Sequence, residues 1–124
     1  MTALLVLVGG AFGAVARYLV GVWLQSPRDS AFPWGTFAVN VAGSFILGAT
    51  AGAVGAAGGP AWVLVLVGTG FCGSLTTFST FAFETVRLAE AGALRAAALN
   101  VTASLLVGTA ACLGGWALAT VALG

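Results

Sequence analysis

Gly70–Glu84 reads GFCGSLTTFSTFAFE, and the reading of the whole chain turns on it. The stretch lies inside a long apolar segment, which puts its backbone at membrane depth. Yet Gly70, Gly73, Ser74, Thr76, Thr77, Ser79 and Thr80 alternate there with Phe71, Phe78, Phe81 and Phe83. A helix facing only lipid has little use for so many hydroxyls and glycines. Irregular backbone is tolerated in a bilayer only where protein buries it or a watery cavity meets it. The stretch is therefore a tight helix contact or part of a pathway. We read it as a pathway. Gly70 and Gly73 precede a run rich in hydroxyls from Ser74 to Thr80, which predicts a break near mid-span. Broken helices at the midplane expose backbone groups to ions, and carbonyls freed there can hold a cation.

The chain around this stretch has 124 residues, 60% hydrophobic and 6% charged. Four Arg and three acidic residues cannot supply the surface of a soluble domain. A spanning helix needs about 20 apolar residues, so the length predicts an all-α integral membrane protein of four spans with no separate extramembrane domain. His and Lys are absent, which removes the commonest zinc ligand and the usual proton shuttle. Cys72 and Cys112 fall in apolar segments outside any CxxC pattern and are expected as free thiols.

The first span is expected over residues 2–24. Gly9 and Gly13 form GxxxG, which lets two helix backbones approach closely. Arg17 lies near the span's end, where it can snorkel to the interface with Tyr18 and Trp23 or attract anions in a vestibule. A polar loop with Arg28 and Asp29 follows. The second span, 33–57, carries Thr36, Asn40 and Ser44 four residues apart on one face. An Asn in lipid is costly, so Asn40 must bond another helix or line a polar cavity. Gly58, Gly59 and Pro60 break the chain before a third span, 61–88, whose first half reads as a plain apolar helix and whose second half is broken near 73–77. After a charged connection with Glu84, Arg87, Glu90 and Arg95, the fourth span, 94–121, sets Asn100, Ser104 and Gly108 on one face. Arg28, Arg87 and Arg95 fall in connections on one side of the four spans. The positive-inside rule then puts those connections in the cytoplasm and both termini outside.

Gly9–Ala14 (GGAFGA) leading to Arg17-Tyr18, then GTFAVNVAGSFILG over Gly35–Gly48, then the opening stretch, resemble the Fluc (CrcB-type) fluoride channel family. The likeness covers nearly the whole chain. It implies four helices with the third broken, an antiparallel dual-topology dimer, and two pores along the dimer interface that let fluoride leave the cytoplasm passively across the inner membrane and so relieve fluoride toxicity. By the same resemblance Phe78 and Phe81 turn ring edges to the ion path, Asn40 lines it, Ser79 and Thr80 supply hydroxyls beside them, and Ser104 is a polar position on the fourth helix. Gly73 and Thr76 match positions whose carbonyls, two from each subunit, bind a central structural sodium ion. Arg17 and Glu84 match positions near the pore mouths. Asn100 stands one turn before Ser104, where many members have a tyrosine, and is counted here with the pore.

Elementary chemistry agrees with the transfer. Fluoride is small and strongly hydrated, so a pore must replace its water with donors, which Asn amides and Ser or Thr hydroxyls are. An aromatic ring has a positive edge that can meet an anion, and Phe78 and Phe81 share a helix face. A small multidrug transporter would need a carboxylate within the first span, and no acidic residue precedes Asp29. Nothing in the chain joins a nucleophile, a base and an orienting group, so an enzyme is not expected. The Arg asymmetry leaves two partners open, a second copy of this chain or an unlike paralogue of opposite topology.

Overall fold

The computed structural model describes residues 1–25 and 32–124, so the first connection, with Arg28 and Asp29, lies outside the described residues. Four helical spans are long and apolar enough to cross a membrane: Thr2–Leu24, Trp34–Ala57, Ala61–Glu90 and Leu94–Leu123. The first is helix α1 (Thr2–Gln25) and the second α2 (Trp34–Ala57). The third is composite. It runs through a single turn α3 (Ala61–Val63), a π-helical segment (Leu64–Cys72), a second turn α4 (Gly73–Leu75) and helix α5 (Phe78–Glu90). The fourth is α6 (Leu94–Leu123).

The surface is inverted relative to a water-soluble bundle. Among the described residues the buried apolar side chains are Phe32, Val39, Cys72, Leu75 and Ala97, whereas Leu7, Phe12, Leu106 and Leu118 are each more than 60% exposed. Apolar side chains turned outward cost nothing in hydrocarbon, where the hydrophobic effect between helices vanishes and close packing takes over. Glycines do that packing here. A Cβ on Gly9 or Gly13 would collide with the carbonyl oxygens of Leu66 and Phe71, so α1 lies backbone to backbone on the π-helical segment. The GxxxG pair thus serves contact within one chain. In the same way Gly48 meets the Cys112 carbonyl and Gly115 the Phe45 carbonyl, which locks α2 to α6.

The connections follow local chemistry. Gly58 ends α2 in the left-handed region at φ 66°, and the N–H of Gly59 returns to the Val54 carbonyl at 2.9 Å. After α5 the chain makes a Schellman turn: Gly92 takes φ 84°, its N–H reaches the Ala89 carbonyl, and that of Ala93 reaches Leu88 at 2.9 Å. This satisfied end lets α5 extend to Glu90. The first half of the third span differs from the plain α-helix expected of it. Its wider π turn sits where the α1 backbone presses closest, and an apolar run carries no signal that separates the two windings.

Candidate functional site

Helical geometry lapses at Thr76 and Thr77. Both are extended, with φ −81°, ψ 159° and φ −150°, ψ 124°. In an unbroken α-helix the Thr77 N–H would bond the Gly73 carbonyl, and the Thr80 N–H would bond that of Thr76. Each donor goes elsewhere. The Thr77 N–H donates to Asn40 Oδ1 at 2.8 Å, while Asn40 Nδ2 donates to the Thr77 carbonyl at 3.0 Å. One amide side chain on α2 therefore satisfies both backbone groups of Thr77, as a neighbouring strand would. The Thr80 N–H donates to Thr77 Oγ1 at 3.2 Å, the N-cap bond that starts α5. The sequence left open whether Asn40 bonds another segment or lines a cavity. It does both.

The Gly73 and Thr76 carbonyls thus lose the helical donors that Thr77 and Thr80 would have supplied. Both residues line a groove, and Gly73 is exposed. Among the described residues no cluster of three or more His, Cys, Asp or Glu could hold a metal. Backbone carbonyl oxygens such as these are normal ligands of a hard alkali cation and fit the expected sodium in donor type. Two oxygens alone would leave such a cation under-coordinated, so other ligands would have to complete the shell.

That groove, of about 370 Å³, is walled by Asn40 and Ser44 of α2, Phe78 and Phe81 of α5, and Ser104 of α6. Phe78 is 78% exposed on the protomer, and its ring centroid lies 5.9 Å from that of Phe81, tilted 45°. Gly43 makes room for Thr76, whose Cγ2 would meet a Cβ there. A second cavity, of about 540 Å³, is walled by Arg17, Thr36, Thr77, Thr80 and Glu84. Thr77 borders both cavities. The face of α2 that carries Thr36, Asn40 and Ser44 runs from one to the other.

Glu84 Oε1 is buried and has no hydrogen-bond partner among the described residues, although Arg17 lines the same cavity. Ser79 is exposed beside Phe78, with its Oγ 3.4 Å from Thr77 Oγ1. Asn100 and Ser79 are among the walls of neither cavity, and Asn100, 1% exposed, is bonded to Thr85 on α5. Two residues with clear roles here escaped the sequence reading of the site. Thr77 had a usable signal, since Thr77 and Thr80 have the spacing of an N-cap and its N3 residue. Thr85 had none. Cys72, buried, and Cys112, half-buried, are free thiols.

Comparison with known proteins finds relatives along nearly the whole chain. Residues 4–116 match the family described as CrcB-like protein, Camphor Resistance (CrcB). A protein of Frankia casuarinae named Fluoride-specific ion channel FluC 1 is 52% identical over 124 residues, 96% of each chain. One of the same name from Streptomyces avermitilis is 46% identical over 93% of each chain. A Bordetella petrii protein named Fluoride-specific ion channel FluC is 49% identical over 87% of this chain and 82% of its own. With four apolar spans and relatives near half identity along almost its whole length, the chain is a multi-pass membrane protein and belongs to the CrcB family.

Proposed function

We propose that the protein is a fluoride-selective channel of the bacterial inner membrane that lets fluoride leave the cytoplasm passively. The observation that carries this reading is the interruption at Thr76–Thr77, held open by Asn40 and flanked by Phe78 and Phe81. The relatives' names supply the ion. The broken span crosses the middle of the membrane. Two copies pair antiparallel, and each groove becomes a pore when the partner closes its open side.

The local chemistry suits an anion. The first-turn N–H groups of α5 have no partner within the helix, and its positive dipole end points at the break. Phe78 and Phe81 offer ring edges. Ser79, Thr80 and Ser104 offer hydroxyls, and Asn40 keeps a second amide hydrogen beyond the one given to Thr77. Arg17 and Glu84 stand at the mouth of the path, in the cavity that Thr77 joins to the groove. The Gly73 and Thr76 carbonyls of both copies hold a structural sodium ion at the dimer centre. Its positive charge offsets the repulsion among inward carbonyls and links the subunits. A membrane potential negative inside drives fluoride outward, so no coupled proton or cation is needed.

The test is fluoride efflux from liposomes containing this chain alone, with valinomycin and potassium setting the voltage and chloride as control. Fast fluoride loss without chloride loss is expected. Silence from well-folded protein would overturn the homodimer, and flux restored by an unlike paralogue would establish the heterodimer instead. Silence from both mixtures would overturn the channel.

A further inference from the structure

The most deeply buried side chain of the described structure is polar. Asn100 is 1% exposed, and a buried amide needs partners or it destabilises its surroundings. Its Nδ2 donates to Thr85 Oγ1 at 2.8 Å, across the contact between α6 and α5. Thr85 Oγ1 in turn donates to the Phe81 carbonyl at 2.8 Å. On the other side of the amide, Ser104 Oγ lies 3.4 Å from Asn100 Oδ1, a long and weak bond. The relay thus begins at one groove-lining residue, Ser104, and ends on the backbone of another, Phe81. Neither Asn100 nor Thr85 lines the groove.

We infer that Asn100 and Thr85 form a positioning pair, which sets the register of α5 against α6 and with it the separation of Phe81 from Ser104, without touching the ion. The inference rests on the proposed channel function and adds to it residues that act through others. The chemistry of the pair is directional. The Thr85 hydroxyl has one hydrogen, and it goes to the Phe81 carbonyl, so Asn100 must be the donor to Thr85. A carboxylate at position 100 could not play that part when ionised, nor could a side chain without hydrogens on nitrogen or oxygen. The strong bond faces α5 and the weak one faces Ser104. The pair therefore fixes Phe81 firmly and leaves the Ser104 hydroxyl free to turn toward a passing anion.

The test uses full-length protein in liposomes, with flux expressed per folded dimer. Thr85→Val and Asn100→Leu each remove the same bond and are expected to lower fluoride flux about fivefold to tenfold. The double variant is expected to be no worse than either single one, because the residues act as a unit. Thr85→Ser keeps the hydroxyl and is expected to retain wild-type flux. A second readout does not depend on transport: 4-fluorophenylalanine at Phe81, followed by its fluorine resonance. Thr85→Val and Asn100→Leu should shift or broaden that resonance, and Thr85→Ser should leave it unchanged.

Loss of flux in Asn100→Leu with none in Thr85→Val would overturn the inference in favour of direct contact between Asn100 and the ion. Unchanged flux and an unchanged resonance in both would reduce the pair to helix packing. Additive losses would make the residues independent and overturn the pair. If the resonance responds as expected while wild-type protein passes no fluoride, the positioning of Phe81 stands and the channel reading fails.

Discussion

Asn40→Asp alters one atom of the clamp and adds one charge, and the structure separates the two effects. The acceptor bond from the Thr77 N–H, 2.8 Å in the native protein, survives. The donor bond does not: an oxygen replaces Nδ2 and faces the Thr77 carbonyl at the position where 3.0 Å now separates donor from acceptor. The Thr77 carbonyl keeps its intrahelical partner as the N-cap of α5, so the lost side-chain bond costs about 0.5–1.5 kcal/mol of stability. The charge matters more for transport. A unit negative charge 4 Å from an anion in surroundings of effective dielectric 20 raises its energy by about 4 kcal/mol, which slows passage about a thousandfold. Asn40→Leu is the neutral comparison, since it removes both bonds and adds no charge. The assay is liposome flux beside thermal unfolding of the same preparation. Asn40→Leu is expected to lose more stability and Asn40→Asp more flux. Folded Asn40→Asp protein with flux within tenfold of native would take Asn40 off the fluoride path and leave it a purely structural clamp.

Two further outcomes follow from the groove and from the packing. Phe78→Ala and Phe81→Ile should cut fluoride flux at least tenfold by about 1.4 kcal/mol of lost ion stabilisation, with elution volume unchanged from native; native flux in both would remove the ring-edge mechanism. Gly48→Leu should fail to give folded protein, because its Cβ would strike the Cys112 carbonyl, whereas Gly55→Ala, where a Cβ meets open space, should unfold at the same temperature or slightly higher. Equal melting of Gly48→Leu and native protein would refute the backbone-to-backbone packing of α2 on α6.

The four spans were legible because hydropathy alone reports them, and seven charges in 124 residues left no other solution. Thr36, Asn40 and Ser44 were legible as one face because their spacing is that of a helix. How that face works was not. Asn40 looked like a choice between helix contact and cavity, yet an amide has enough donors and acceptors to clamp Thr77 and still border the groove. Asn100 was grouped with the pore on the strength of the resemblance and its spacing from Ser104. Its burial depends on where α5 crosses α6, a tertiary fact that spacing on one helix cannot contain. The partner Thr85 is a single hydroxyl in an ordinary helical stretch, and nothing nearby marks it.

Thr77 decides whether the interruption is built for a cation. Its Oγ1 accepts the Thr80 N–H at 3.2 Å and so withholds that donor from the Thr76 carbonyl. Thr77→Val keeps the branched shape and removes the acceptor. The Thr80 N–H must then stay unpaired, at about 1 kcal/mol for a lost cap, or return to the Thr76 carbonyl and take a ligand away from the proposed sodium site. Unfolding measured in sodium and in N-methylglucamine distinguishes the two. A ligand at about a hundred times its dissociation constant stabilises by about 2.7 kcal/mol, so native protein should melt several degrees higher in sodium. If the N–H returns, Thr77→Val loses most of that increment, and Thr77→Ser, which restores the acceptor, regains it. An equal sodium increment in native protein and Thr77→Val would mean that the Thr76 carbonyl is not held free by the cap. No increment in either would overturn the proposed sodium site. The cap and the Asn40 clamp are then two parts of one device: each diverts one backbone donor, from the Thr76 and the Gly73 carbonyl respectively, and both of those residues line the groove.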